Sequence, residues 1–196
     1  MNCSSYRSLL AKKSVGIAGL GGLGSSVAVS LARSGIGRLV LADFDVVELS
    51  NLYRQHYFEE QVGQLKVKAT EQNLRRISSN ISVCSHPVRL DQSNIPGIFA
   101  DTDVIIEALD DPEEKAKFVT CCLASFPETP IIAASGIAGL DSGDKITIKR
   151  VGDRIYLVGD DVTAQDSHNL LWPARVGIAA NHQAHIAVRI LLGLES

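Results

Sequence analysis

Between Val15 and Gln55 the chain runs through an apolar segment, a glycine run, a second apolar segment ending at Asp43, and then Ser50-Asn51-Leu52-Tyr53-Arg54-Gln55. Gly19-Leu20-Gly21-Gly22-Leu23-Gly24 satisfies the pattern G-x-G-x-x-G. Its glycines let the backbone turn tightly and bring free N–H groups at a helix start up to a phosphate. Asp43 lies 19 residues after Gly24, where a carboxylate at a strand end accepts hydrogen bonds from ribose hydroxyls. A hydride-transferring dehydrogenase needs nothing more. Here Asn51 and Arg54, three residues apart on one side of a helical turn, and then Gln55, stand beside the same loop. An arginine fork grips phosphate oxygens in a way that lysine cannot copy. The combination points to splitting a nucleoside triphosphate, with the identity of the nucleotide left open.

Two further positions extend this reading. Lys66, in Gly63-Gln64-Leu65-Lys66-Val67, opens the next helix. A cation is disfavoured there by the helix dipole, so its placement indicates an anionic ligand, with Lys68 as the competing candidate. The fourth strand ends at Ala108-Leu109-Asp110-Asp111, and ligands of open α/β sheets bind beyond the carboxyl ends of strands. One carboxylate there can hold the Mg²⁺ that accompanies a triphosphate. The other can cap the helix that begins at Pro112. We assign the metal role to Asp110 and the cap to Asp111.

The elements that must position these residues follow from the apolar pattern. Strands are expected at 14–20, 38–43, 81–87, 103–108 and 130–135, and helices at 23–34, 66–78, 113–125 and 174–192. Short apolar strands alternating with longer helical segments imply right-handed βαβ units and a parallel sheet covered on both faces. Near the end the rhythm changes: 144–150 and 154–158 have β character and flank the turn Val151-Gly152-Asp153. The expected fold is an α/β, Rossmann-like, doubly wound and mostly parallel sheet with an antiparallel hairpin near its C-terminal edge. Residues 1–196 are read as a single nucleotide-binding domain.

Bulk properties remove other classes. With 45% hydrophobic and 21% charged residues this is an ordinary globular composition. A formal charge of −3 offers no footprint for nucleic acid or an anionic membrane. No apolar run reaches the roughly 18 residues that span a bilayer, and the polar 1–13 segment has no signal-peptide core. The cytoplasm is the expected location. Cys3, Cys84, Cys121 and Cys122 form no CxxC pair, so neither a structural zinc nor a disulfide framework is expected. His182 and His185 lie three apart on the last helix without a third ligand in sequence, and are read as ordinary helix histidines. Asp160, Asp161, Asp166 and His168 are read as a solvated acidic loop, and Trp172 as a packing residue.

The order GLGGLGS, LADFDVVELSNLYRQ, VGQLKV and ALDD resembles the ubiquitin-activating-enzyme-like superfamily in its bacterial ThiF/MoeB form. The likeness runs over about residues 14–140, and PARVGIAANHQAHIAVRILLG resembles the family's last helix. It implies ATP-dependent adenylylation of the C-terminal glycine of a small β-grasp carrier. By motif position, Gly19, Gly21, Gly22, Gly24, Asp43 (ribose), Asn51, Arg54, Gln55 and Lys66 would bind ATP. Arg54, Lys66 and Asp110 would serve catalysis, and Asp110 would hold Mg²⁺. Longer members carry two CxxC pairs for zinc, which this chain lacks, and the connection 159–172 has no cysteine for an acyl-enzyme. The compact form is most similar to the shorter second ThiF family, associated with thiamine biosynthesis. That implies a carrier ending in Gly-Gly, a separate sulfur donor and a homodimer, with Arg7 the candidate for an arginine reaching the partner's nucleotide site. Competing expectations are a molybdopterin-type carrier, a tRNA-attached carboxylate, an NAD-dependent oxidoreductase, or a non-catalytic scaffold subunit.

Overall fold

The computed structural model describes residues 3–163 and 170–195. Along the chain come α1 (Cys3–Leu10), β1 (Ser14–Ala18), α2 (Gly22–Ser34), β2 (Arg38–Ala42), α3 (Lys66–Ile77), β3 (Ser82–His86), α4 (Ile95–Phe99), β4 (Val104–Glu107), α5 (Pro112–Ser125), β5 (Ile131–Ala134), β6 (Thr147–Val151), β7 (Ile155–Gly159) and α6 (Pro173–Leu191). The strands form one sheet in the order β3-β2-β1-β4-β5-β7-β6. Every neighbouring pair is parallel except β6 with β7, the hairpin at the edge. The doubly wound α/β architecture expected from the sequence is therefore the one observed.

The near-continuous apolar runs of β1, β2, β4 and β5 form central strands because both faces of the sheet are covered. Val15, Ile17, Leu39, Leu41, Val104 and Ile106 pack with α2, α3 and α6 on one face. Ala18, Val40, Ala42, Ile105 and Ile131 meet α4 and α5 on the other. Gly16 leaves room there for Phe99: a Cβ at position 16 would stand 2.5 Å from its ring. Cys122 is sealed into this second layer, where burial pushes its thiol up to about 12. It remains protonated and inert at neutral pH.

Two helices have no counterpart in the sequence reading. The first, α1, lies in a polar stretch, and α4 is a single short turn containing Pro96 and Gly97. The second is held by Ile95 and Phe99, buried against the sheet, while α1 buries only Leu10 among the described residues. From β1 the chain winds outward through β2 and β3, then returns to β4 on the other side of β1. The crevice of the sheet therefore opens where β1 and β4 end, which is where the glycine loop and Asp110 emerge.

Candidate functional site

The glycine loop is held by steric necessity. Gly19 has φ +88, and a Cβ there would meet the Ala108 carbonyl at 2.6 Å. A Cβ on Gly24 would stand 1.9 Å from the Gly19 carbonyl oxygen, so only glycine lets the first turn of α2 close on the end of β1. The N–H of Leu20 donates to Asp43 Oδ2 at 2.6 Å, and that of Asp45 to Asp43 Oδ1 at 2.8 Å. Asp43 is buried. Burial pushes its carboxyl above the ordinary range, against the opposing pull of Lys66 and the two backbone donors.

Beyond β2 the chain makes a 3-10 turn, Leu49–Asn51. Asn51 secures it, its Oδ1 accepting from the Glu48 N–H at 3.2 Å while the residue lines the cleft. Arg54 follows, with one guanidinium nitrogen donating to the Ser50 carbonyl at 3.3 Å and the group lying 4.8 Å from the Tyr53 ring centroid. Its Nε is buried without a partner, and so is Gln55 Oε1. A buried polar atom left unmade costs about 1–3 kcal/mol. Arg175 Nε and Gln183 Oε1 in α6 are in the same condition.

Lys66 is buried at the first position of α3, and its ammonium donates to Asp45 Oδ2 at 2.7 Å. The backbone locks the two together, since Lys66 N–H donates to the Asp45 carbonyl at 2.9 Å and Val46 bridges Leu65. The anion inferred for this lysine thus has a resident member, Asp45, which the sequence reading missed. Its signal was available: an acid two residues past Asp43, in the loop that must face the next helix start. Lys66 lines the cleft; Lys68 instead pairs with Glu71 on the outer surface.

Asp111 caps α5, its Oδ1 accepting from the Glu114 N–H at 2.8 Å. Asp111→Ala should lower stability by about 1 kcal/mol in chemical denaturation and leave the cleft's chemistry intact. Asp110 is exposed at the cleft wall, with Oδ1 accepting from the Asp111 N–H at 2.9 Å. One carboxylate in an open cleft suits an ion that takes its remaining ligands from phosphates and water. Beneath it sits a pair the sequence reading did not contain: Glu107, 0% exposed, receives the Lys115 ammonium on both oxygens at 2.8 and 3.1 Å.

On the far side, Ser135–Ala138, Thr163, Leu171 and Val176 complete a cleft of about 1330 Å³. That exceeds the usual small-ligand pocket of roughly 300–1,000 Å³. The acidic loop expected to be solvated is partly structural: Asp160 forms a buried ion pair with Arg175 at 2.6 Å. Burial works to raise the Asp160 pKa, but the N–H groups of Thr163 and Val162, the Thr163 hydroxyl and Arg175 together hold it below the ordinary range. Asp166 and His168 lie outside the described residues. Trp172, expected to pack, is 45% exposed. Among the described residues no cluster of three or more His, Cys, Asp or Glu is arranged as a metal site. Arg7 donates to the Arg33 carbonyl at 3.2 Å, over the end of α2. No helix among them is long and apolar enough to cross a membrane.

The glycine loop, Asp43, Arg54, Lys66 and Asp110 thus share one crevice. The ThiF family profile matches residues 4–195. The chain belongs to the ThiF family. It is 37% identical over 129 residues to an adenylyltransferase and sulfurtransferase of Kluyveromyces lactis, covering 65% of this chain and 29% of that protein. It is 28% identical over 183 residues to the molybdopterin-synthase adenylyltransferase of Escherichia coli, covering 90% and 72%. With the sulfur carrier protein ThiS adenylyltransferase of E. coli the figures are 29% over 197 residues, 92% and 72%. The chain spans less than a third of the Kluyveromyces protein and most of the two bacterial ones. In fold it superposes on E. coli tRNA N6-threonylcarbamoyladenosine dehydratase in its AMP and ATP complexes. The TM-scores are 0.86 and 0.87 at 19% and 18% identity, over 96% of this chain and 89% of that one.

Proposed function

We propose that this ThiF-family chain is an ATP-dependent adenylyltransferase acting on the C-terminal glycine carboxylate of a small β-grasp sulfur carrier in the cytoplasm. The observation that carries the reading is the convergence of Arg54, Lys66 and Asp110 on the cleft that holds the glycine loop and Asp43. An NAD-dependent oxidoreductase would use Asp43 and the glycines and leave the others idle. A scaffold subunit would have no reason to keep them. The names of the relatives support a carrier substrate, and a thiamine-type carrier is the first to test. A net charge of −3 argues against a tRNA substrate.

The carrier carboxylate is the nucleophile. Its oxygen forms a bond to the α-phosphorus while the bond from that phosphorus to the bridging oxygen breaks, and pyrophosphate leaves with the electron pair. No activated serine or cysteine is required. Asp43 would hold the ribose, Asn51 would support the segment carrying Arg54, and Arg54 and Lys66 would stabilise the phosphate charge as it shifts. Asp110 would hold Mg²⁺, which supplies charge neutralisation to the triphosphate when bound. Ser135–Ala138 and Thr163 line the cleft and would border the carrier tail. The acyl-adenylate then passes to a separate sulfur donor. A homodimer, implied by family resemblance, is tested by light scattering.

The decisive test is pyrophosphate–ATP exchange with Mg²⁺ and a thiamine-type carrier ending in Gly-Gly, with a tail-truncated carrier as control. Exchange that requires the intact tail supports the reading. Absence of ATP binding would overturn it in favour of the dinucleotide alternative. Asp43 adds a pH signature. Its folded-state pKa is raised, so protonation begins at a higher pH than for an ordinary aspartate near 3.9. The ionised form costs folding stability, a cost relieved as pH falls through that window, while its capacity to accept ribose hydroxyls is lost in the same window. ATP affinity should therefore fall on mild acidification before the fold weakens. Titration calorimetry against pH checks this.

A further inference from the structure

Two side chains from separate segments around the cleft meet at its wall. Arg89 follows β3, and Glu114 lies in the first turn of α5 after β4. Between β3 and β4 stand β2 and β1, so the strand ends are three steps apart, about 14 Å at the usual spacing. Even so, an Arg89 guanidinium nitrogen donates to Glu114 Oε1 at 2.6 Å. The same guanidinium lies 4.4 Å from the centroid of Phe44, the residue after Asp43. The loop that carries Arg89 leads into α4, which packs on α5 through Phe99 and Phe118, ring centroids 5.6 Å apart, and Phe44, Arg89 and Glu114 all line the cleft that contains Gly19, Asp43 and Lys66.

An incidental surface ion pair is the plain alternative. The Arg89 side chain is 64% exposed and Phe44 44% exposed, and such pairs contribute little to stability. Stability gives no reason for holding a phenyl ring in solvent beside a buried ribose-type acid, capped by a cation from one loop and tied to a carboxylate from a third. Ligand binding does. Val88, Leu90, Ile95 and Leu109 line the same part of the cleft and supply apolar walls.

We propose that Arg89 is a clamp for the nucleobase, an inference that rests on the ATP-binding reading above. Asp43 fixes the ribose, so the attached base lies beside Phe44, between the apolar walls. The Arg89 guanidinium closes over its flat face, and Glu114 keeps the plane of the guanidinium aligned. Recognition is of the aromatic face rather than of the base edge, since a planar guanidinium stacks on any π-system.

The test measures dissociation constants for ATP and for inorganic tripolyphosphate, which has no base, in the full chain and three variants. Arg89→Ala should weaken ATP about three- to thirtyfold and leave tripolyphosphate within about twofold. Arg89→Lys should behave like Arg89→Ala, because lysine keeps the charge but not the plane. Glu114→Gln should fall between wild type and Arg89→Ala. Arg89→Ala with an unchanged ATP constant, equal weakening of both ligands, or a wild-type-like Arg89→Lys would each overturn the clamp. A wild-type protein that binds no ATP would instead overturn the adenylylation reading, and the clamp with it.

Discussion

Replacing Asp110 by alanine should reduce carrier-dependent pyrophosphate exchange by about a thousandfold, the scale expected when a group serving transition-state charge is removed. The fold should hardly register the change. Asp110 is exposed, one of its oxygens takes only the neighbouring Asp111 N–H, and the cap of α5 belongs to Asp111. A surface substitution of this kind costs within about 0.5 kcal/mol. Asp110→Asn preserves shape and hydrogen bond but not charge, so it should lose nearly as much activity. The two variants should bind ATP normally in chelator and lose the gain in affinity that Mg²⁺ confers on wild type. Near-normal exchange in Asp110→Ala would refute the metal role. A loss of exchange accompanied by an equal loss in chelator would move Asp110 from metal binding to direct nucleotide binding.

The place of Asp110 could be read from sequence because the fold defines it: just past the buried strand that ends at Glu107, ahead of the helix that Pro112 begins. The glycine loop, Asp43 and the edge hairpin were legible for the same reason, since each depends on residues close along the chain. Roles carried by contacts between loops were not. Lys66 was found, yet its partner Asp45 comes from the end of β2, 21 residues earlier. The Arg89–Glu114 contact joins residues 25 apart, one after β3 and one in α5. Arg175 reads as one basic residue in an apolar helix until the turn at Asp141–Ser142 and the loop at Asp160 close around it. Periodicity reports which face of an element is buried; it does not report which two loops meet above a sheet.

Glu107 is the strongest case, because its strand reads as wholly apolar apart from this one acid. The side chain is 0% exposed, and its Oε1 accepts from the Leu109 N–H at 2.7 Å as well as from Lys115 at 2.8 Å. Oε2 takes Lys115 at 3.1 Å and the Ala134 N–H at 3.4 Å, and Lys115 donates also to the Ala134 carbonyl at 3.2 Å. Three donor groups thus make four hydrogen bonds to one buried carboxylate, which ties β4 to β5 and fixes the turn that presents Asp110. In Glu107→Gln the new amide group must point its own donors at another donor, on whichever side it sits, while the Lys115 charge loses its counter-ion. Breaking a buried pair in this way costs about 3–5 kcal/mol. At roughly 2–4 °C per kcal/mol for a chain of this size, the thermal midpoint should drop by about 10 °C. Lys115→Met strands the carboxylate and should be equally damaging, but the double variant should lose far less than the two together, because neither charge is left alone. Additive losses in that cycle would mean that the two side chains do not act as a unit. The Asp110 turn would then be held by strand pairing alone, and Glu107→Gln assayed well below its midpoint would keep full exchange.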